Sequence, residues 1–164
     1  MARLWPRDKS EKLLKTPTAN LGGNGAPQHP QKRKQGGHGP NLEDEVCFLL
    51  HVKPGAALAA GFSPSEWWGD FAPAVRRWEV LTAQPAPVPV EYGPRGGLRL
   101  DARFAEWLMG IGRGWITNVP GLDRGAQLKA IGDGVVPQQA FAAFAFLLGE
   151  LERRYSASFG DGAE

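Results

Sequence analysis

The stretch Arg99-Leu100-Asp101-Ala102-Arg103-Phe104-Ala105-Glu106-Trp107-Leu108-Met109-Gly110-Ile111-Gly112-Arg113-Gly114-Trp115 decides how the chain is read. Asp101 is a good helix N-cap, because its carboxylate can accept from the free N–H groups of the first turn. Phe104, Trp107 and Leu108 share one narrow apolar face, and Gly110 supplies a stop. The spacing predicts a helix over 101–110, a tight exit and then an aromatic. Further on comes Gln127-Leu128-Lys129-Ala130-Ile131-Gly132-Asp133-Gly134-Val135-Val136-Pro137-Gln138-Gln139-Ala140. Read as a Gly-Asp-Gly turn entering a helix at Pro137, it offers free backbone N–H groups and a carboxylate at one spot. Phe141, Phe144, Ala145, Leu148, Leu151 and Tyr155 then form one helical stripe, and Arg153-Arg154 suit a helix end.

Outward from this region the signals weaken. Residues 84–97 hold four prolines and three glycines, a composition that opposes both helix and strand and predicts a linker between two packing units. Before it, Trp67, Phe71, Val75 and Trp78 repeat at helical spacing and predict a helix over 69–82, its aromatics serving as core. Glu43, Asp44 and Glu45 precede the apolar run Val46-Cys47-Phe48-Leu49-Leu50, which predicts one short helix or a buried strand. Residues 1–45 are so punctuated by Pro and Gly that neither period survives. Three imperfect copies of a Leu-containing start appear, at Arg3-Leu4-Trp5-Pro6, at Leu13-Leu14-Lys15-Thr16-Pro17-Thr18-Ala19 and at Leu49-Leu50-His51-Val52-Lys53-Pro54-Gly55-Ala56.

The chain has 164 residues, 22 of them Gly and 14 Pro, and a net charge of +2. That charge is unevenly placed: residues 1–40 carry eight Lys/Arg against two Asp/Glu, whereas residues 41–164 carry eleven against fifteen. A basic end rich in Gly can neutralise phosphates by counterion release, which points to nucleic acid. The one cysteine, Cys47, excludes an intramolecular disulfide framework and a multi-cysteine zinc site. Its apolar setting predicts a buried free thiol rather than a nucleophile. No signal-peptide core and no stretch of about 20 apolar residues is read, so the expectation is a soluble cytoplasmic chain with no membrane contact.

Taken as a pair, the two quoted segments resemble the last two conserved motifs of DNA cytosine-5 methyltransferases. Arg99, Leu100, Glu106, Met109, Gly110 and Trp115 match the first, and Gln127, Gly132, Gly134, Val135 and Pro137 the second. Upstream, the Leu-Leu-x-Thr-Pro-Thr-Ala copies and the Gln28–His38 stretch are similar to the loop-rich target-recognition region of some members. The resemblance implies base reading in the major groove of double-stranded DNA, with Lys32, Arg33, Lys34 and His38 as contacts. It implies that Gly132, Asp133, Gly134 and Val135 line part of an S-adenosylmethionine pocket. The departures are Asp133, where the family usually has Asn, and Gly112, where it has Pro.

The chemistry of such an enzyme needs a flipped cytosine, a cysteine nucleophile, a carboxylic acid and the bound cofactor. The family's Gly-rich cofactor loop, Pro-Cys-Gln, Glu-Asn-Val and Gln-x-Arg-x-Arg segments do not occur in these 164 residues. The expectation is therefore a C-terminal methyltransferase portion, truncated or split, with no catalytic or metal-binding residue of its own and a cofactor site that needs an N-terminal catalytic subunit. A non-catalytic stand-alone DNA-binding protein, or an inactive remnant, is the alternative. The expected fold is mainly α with long irregular loops, a C-terminal fragment of an α/β Rossmann-like methyltransferase. Its expected divisions are a basic flexible region (1–45), a helical segment with the Pro-rich linker (46–97), the final motifs and last helix (98–155) and a disordered tail (156–164).

Overall fold

A computed structural model describes residues 11–22, 26–50, 52–56 and 61–160. The first repeat copy, at residues 3–6, and His51 of the third lie outside them. In chain order the elements are a 3-10 turn at Ala19–Gly22, α1 (Pro30–Gln35), α2 (Leu42–Phe48), 3-10 turns at Ser65–Trp67 and Gly69–Phe71, α3 (Ala72–Thr82), β1 (Val90–Tyr92), β2 (Leu98–Leu100), α4 (Ala102–Leu108), α5 (Arg124–Asp133) and α6 (Pro137–Gly160). They fall into two compact units, one ending at Gly134 and one beginning at Val135.

In the first unit α4 supplies the centre of the core. Asp101 caps it as the sequence predicts, accepting from the Arg103 N–H at 2.8 Å. Phe104 is fully buried and stacks on Trp68 and Trp107, with ring centroids 5.7 and 5.6 Å apart. Leu42, Val46, Phe71, Val75, Leu100, Leu128 and Ile131 are buried with them. Each large side chain removed from water this way contributes roughly 2 kcal/mol.

Residues 84–97 are not a linker between units. The prolines run extended into β1, where no N–H ladder is needed, and Pro89 and Ala86 are buried. The glycines make the turn of an antiparallel hairpin, with the Gly93 N–H donating to the Gly97 carbonyl at 2.8 Å and Gly96 at φ 76°. Val90 pairs with Leu100 and Glu91 with Arg99, the latter also as an ion pair of 2.8 Å. The same prolines and glycines that suit a linker suit a hairpin and its turn, and composition alone does not separate the two.

Helix α3 starts at Ala72 rather than 69, because the two 3-10 turns occupy the approach to Pro73 in its first turn. The segment 41–50 resolves to a helix: Asn41 and Asp44 form a capping box at 2.9 Å in each direction. The expected Gly-Asp-Gly turn is also corrected. Gly132 and Asp133 are the last residues of α5, which Asp123 caps through the Ala126 N–H at 2.9 Å. Two glycines, at 125 and 132, and a buried face of only Leu128 and Ile131 hide this helix from a periodicity search.

The second unit is α6, which continues to Gly160 instead of ending near 155. Phe141, Phe144, Leu148, Leu151 and Tyr155 are all exposed. Residues 124–156, most of them in α6, hold a window of mean hydropathy 1.3 that is long and apolar enough, by length and composition alone, to cross a bilayer.

Candidate nucleic-acid interface and cofactor edge

The basic stretch and the acidic stretch that follows it fold onto each other. The loop over residues 28–41 is gathered around one carboxylate, that of Asp44. Its Oδ1 accepts from the Gln28 N–H at 2.7 Å, where the loop begins, and from Arg33 Nη2 at 3.2 Å, in the middle of α1. Its Oδ2 accepts from the Asn41 N–H at 2.9 Å, where the loop ends, and ion-pairs with Arg33 Nε. His29 caps α1 through Nδ1 and sets its ring edge-on to Phe48 at 5.6 Å. Burial pushes the Asp44 carboxyl up, but the Arg33 and backbone hydrogen bonds and the Arg33 charge outweigh it, leaving its pKa below the ordinary value.

Of the four residues expected to meet DNA, this arrangement divides Arg33 from the others. The Arg33 side chain is 18% exposed and held by Asp44, whose own side chain is 0% exposed. Lys32, Lys34 and His38 are exposed, and none makes an ion pair among the described residues.

The two segments that carry the methyltransferase resemblance are joined through polar side chains, of which Glu106 is buried and Gln127 and Arg124 are partly so. Glu106, in α4, accepts from the N–H groups of Gly114, Ile116 and Thr117 at 2.8, 2.7 and 3.0 Å and from Thr117 Oγ1 at 2.9 Å, fixing the turn after the helix exit. Gln127, in α5, donates through Nε2 to the Thr117 and Leu122 carbonyls at 3.2 and 3.0 Å. Arg124 donates to the Leu100 carbonyl and to Glu43 of α2, at 2.8 and 3.0 Å. Gly132 brings in the second repeat copy, because a Cβ there would collide with the Thr18–Ala19 peptide.

Gly132 thus serves the chain's own packing, and that face is closed to a ligand. Asp133 is exposed and ion-pairs with Lys129, one turn back. Gly134 and Val135 are exposed as well, Val135 as the first residue of the second unit. Of the four residues expected at a cofactor, Asp133, Gly134 and Val135 are open to solvent, whereas Gly132 is packed against the chain's own backbone. The Cys47 thiol is pushed up to about 12 by burial and by the Glu43 and Asp44 charges, which suppresses the thiolate a nucleophile needs.

A cavity of about 630 Å³ lies between the hairpin and α4, bounded by Pro85, Val88, Tyr92 and Trp107, with Glu91 and Arg113 at its polar side. Nearly half of its wall comes from residues 84–92, whose proline-rich composition predicts no such cavity. Among the described residues no cluster of His, Cys, Asp and Glu could hold a metal ion. Compared with known proteins, the chain matches no family model, no curated protein and no solved structure.

Proposed function

We propose that the chain is the C-terminal portion of a DNA cytosine-5 methyltransferase, supplying target recognition and one edge of the S-adenosylmethionine pocket to catalytic motifs that lie outside these 164 residues. The observation that carries this reading is the way the motif residues are used. Glu106, matched in the first segment, organises the turn that Gln127, matched in the second, then holds by its carbonyls. Gly132, matched in the second, is seated on the Thr-Pro-Thr-Ala copy that resembles the target-recognition region. Three separately matched stretches thus depend on one another, which chance similarity in loops does not require. Bound S-adenosylmethionine would supply the methyl group. Toward it, this chain would offer the exposed Asp133 carboxylate, which also pairs with Lys129, as a hydrogen-bond acceptor.

Co-expression with a chain carrying the Gly-rich loop and the Pro-Cys-Gln segment tests the proposal. The two chains are expected to copurify and to transfer methyl groups to cytosine in duplex DNA. A partner that copurifies and binds cofactor but leaves DNA unmethylated would reject the reading. The stand-alone DNA-binding alternative draws on the exposed Lys32, Lys34 and His38 and predicts duplex affinity without the partner.

A further inference from the structure

The loop over 28–41 has little of its own to hold it in one shape. α1 is six residues long and buries no side chain. Pro27, Pro30, Gly36, Gly37, Gly39 and Pro40 leave few ladder hydrogen bonds for it to make. Yet its first residue, its middle and its last residue all end on the Asp44 carboxylate, which α2 holds in the capping box. Closure of both ends on one buried point fixes the path between them, and Arg33 fixes the rotation of α1 about its axis. With that rotation set, Lys32 and Lys34 face water on either side of the half-buried Arg33.

We infer that Asp44 and Arg33 form a positioning pair for DNA binding, which presents Lys32 and Lys34 to the phosphate backbone while Arg33 itself makes no DNA contact. The inference deepens the DNA-binding reading above and rests on it. An unanchored Gly-rich loop loses conformational freedom when it meets DNA, whereas an anchored loop has lost it on folding, so the anchor strengthens binding without touching the ligand. The pair does this through two kinds of group: the carboxylate takes the backbone of the loop ends, and the guanidinium takes the helix.

The experiment measures affinity for a fluorescent mixed-sequence DNA duplex as a function of salt, using the full chain. Each phosphate contact contributes roughly 0.9 to the slope of log affinity against log salt. K32A/K34A is expected to lower that slope by about 2. Arg33→Ala and Asp44→Asn are each expected to lower affinity about tenfold with the slope unchanged, and the double variant no further than either single one, the mark of one shared interaction. Amide NMR shifts at Gln28 and Asn41 should move in Asp44→Asn without DNA present. If Asp44→Asn does not fold, Arg33→Ala, at the edge of the anchor, carries the test. A slope that falls by about 1 in Arg33→Ala would place Arg33 on a phosphate and overturn the inference alone. So would folded variants of both residues with wild-type affinity. A wild-type chain with no salt-dependent affinity would overturn the inference together with the DNA-binding reading.

Discussion

At the residue scale, four of the six buried carboxylates among the described residues stand out: Glu43, Asp44, Glu79 and Glu106. Each is surrounded by donors from other segments of the chain. Glu79 accepts from the Ser63 and Ala86 N–H groups and from the Ser63 hydroxyl at 2.9, 2.8 and 2.6 Å, and Trp68 Nε1 donates to that hydroxyl. Glu106→Gln keeps the shape but turns one acceptor into a donor facing N–H groups. It is expected to cost about 3 kcal/mol, read as a lower urea midpoint at unchanged m-value. Gly132→Ala is the contrasting case. Alanine favours a helix by about 1 kcal/mol over glycine, but here its methyl meets the Thr18–Ala19 peptide. The expected net is a loss of about 1–3 kcal/mol, and a gain in the same urea titration would remove the packing role.

At the element scale, what was legible followed from local chemistry. Asp101 before Phe104 and Trp107 marks α4 because a cap and an apolar face are both sequence-local. Pro137 and the phenylalanines mark α6 in the same way. The hairpin and α5 were not legible, since β1 follows a proline run and α5 contains two glycines; both are stabilised by partners far along the chain, such as Arg124 reaching Glu43 and Leu100. The loop over 28–41 is the extreme instance, and its order has a pH signature. A carboxyl whose pKa is lowered by folding stabilises the fold above its ordinary value of 3.8, and that contribution is lost as pH falls through the folded value. Glu45 runs the other way: burial raises its pKa above 4.5, so it protonates first on acidification. The Gln28 and Asn41 amide signals are therefore expected to keep their positions through the Glu45 titration and to shift only below pH 3.8. In Asp44→Asn that acid step should vanish.

At the scale of the whole molecule, the division after Gly134 makes α6 a unit by itself. Removing residues 135–164 is expected to reduce the helical circular-dichroism signal but to move the thermal midpoint of the remainder by less than about 4 °C, the equivalent of ~1 kcal/mol. A larger drop would mean that the first unit depends on the helix. Of the residues that the sequence singles out for contact, Lys32, Lys34, His38 and Asp133 are exposed, as their charged and polar types lead one to expect. The division of labour among the candidate residues was not legible, because only distance shows that Arg33 turns inward to Asp44 and that Gly132 serves the chain's own backbone. The carboxylate hubs have one more consequence. A loop whose ends are gripped by their main-chain N–H groups keeps its path whatever side chains it carries outward. The residues beside Arg33 can therefore be exchanged for others without rebuilding the platform, so the charge that the loop carries outward can drift while the architecture stays put.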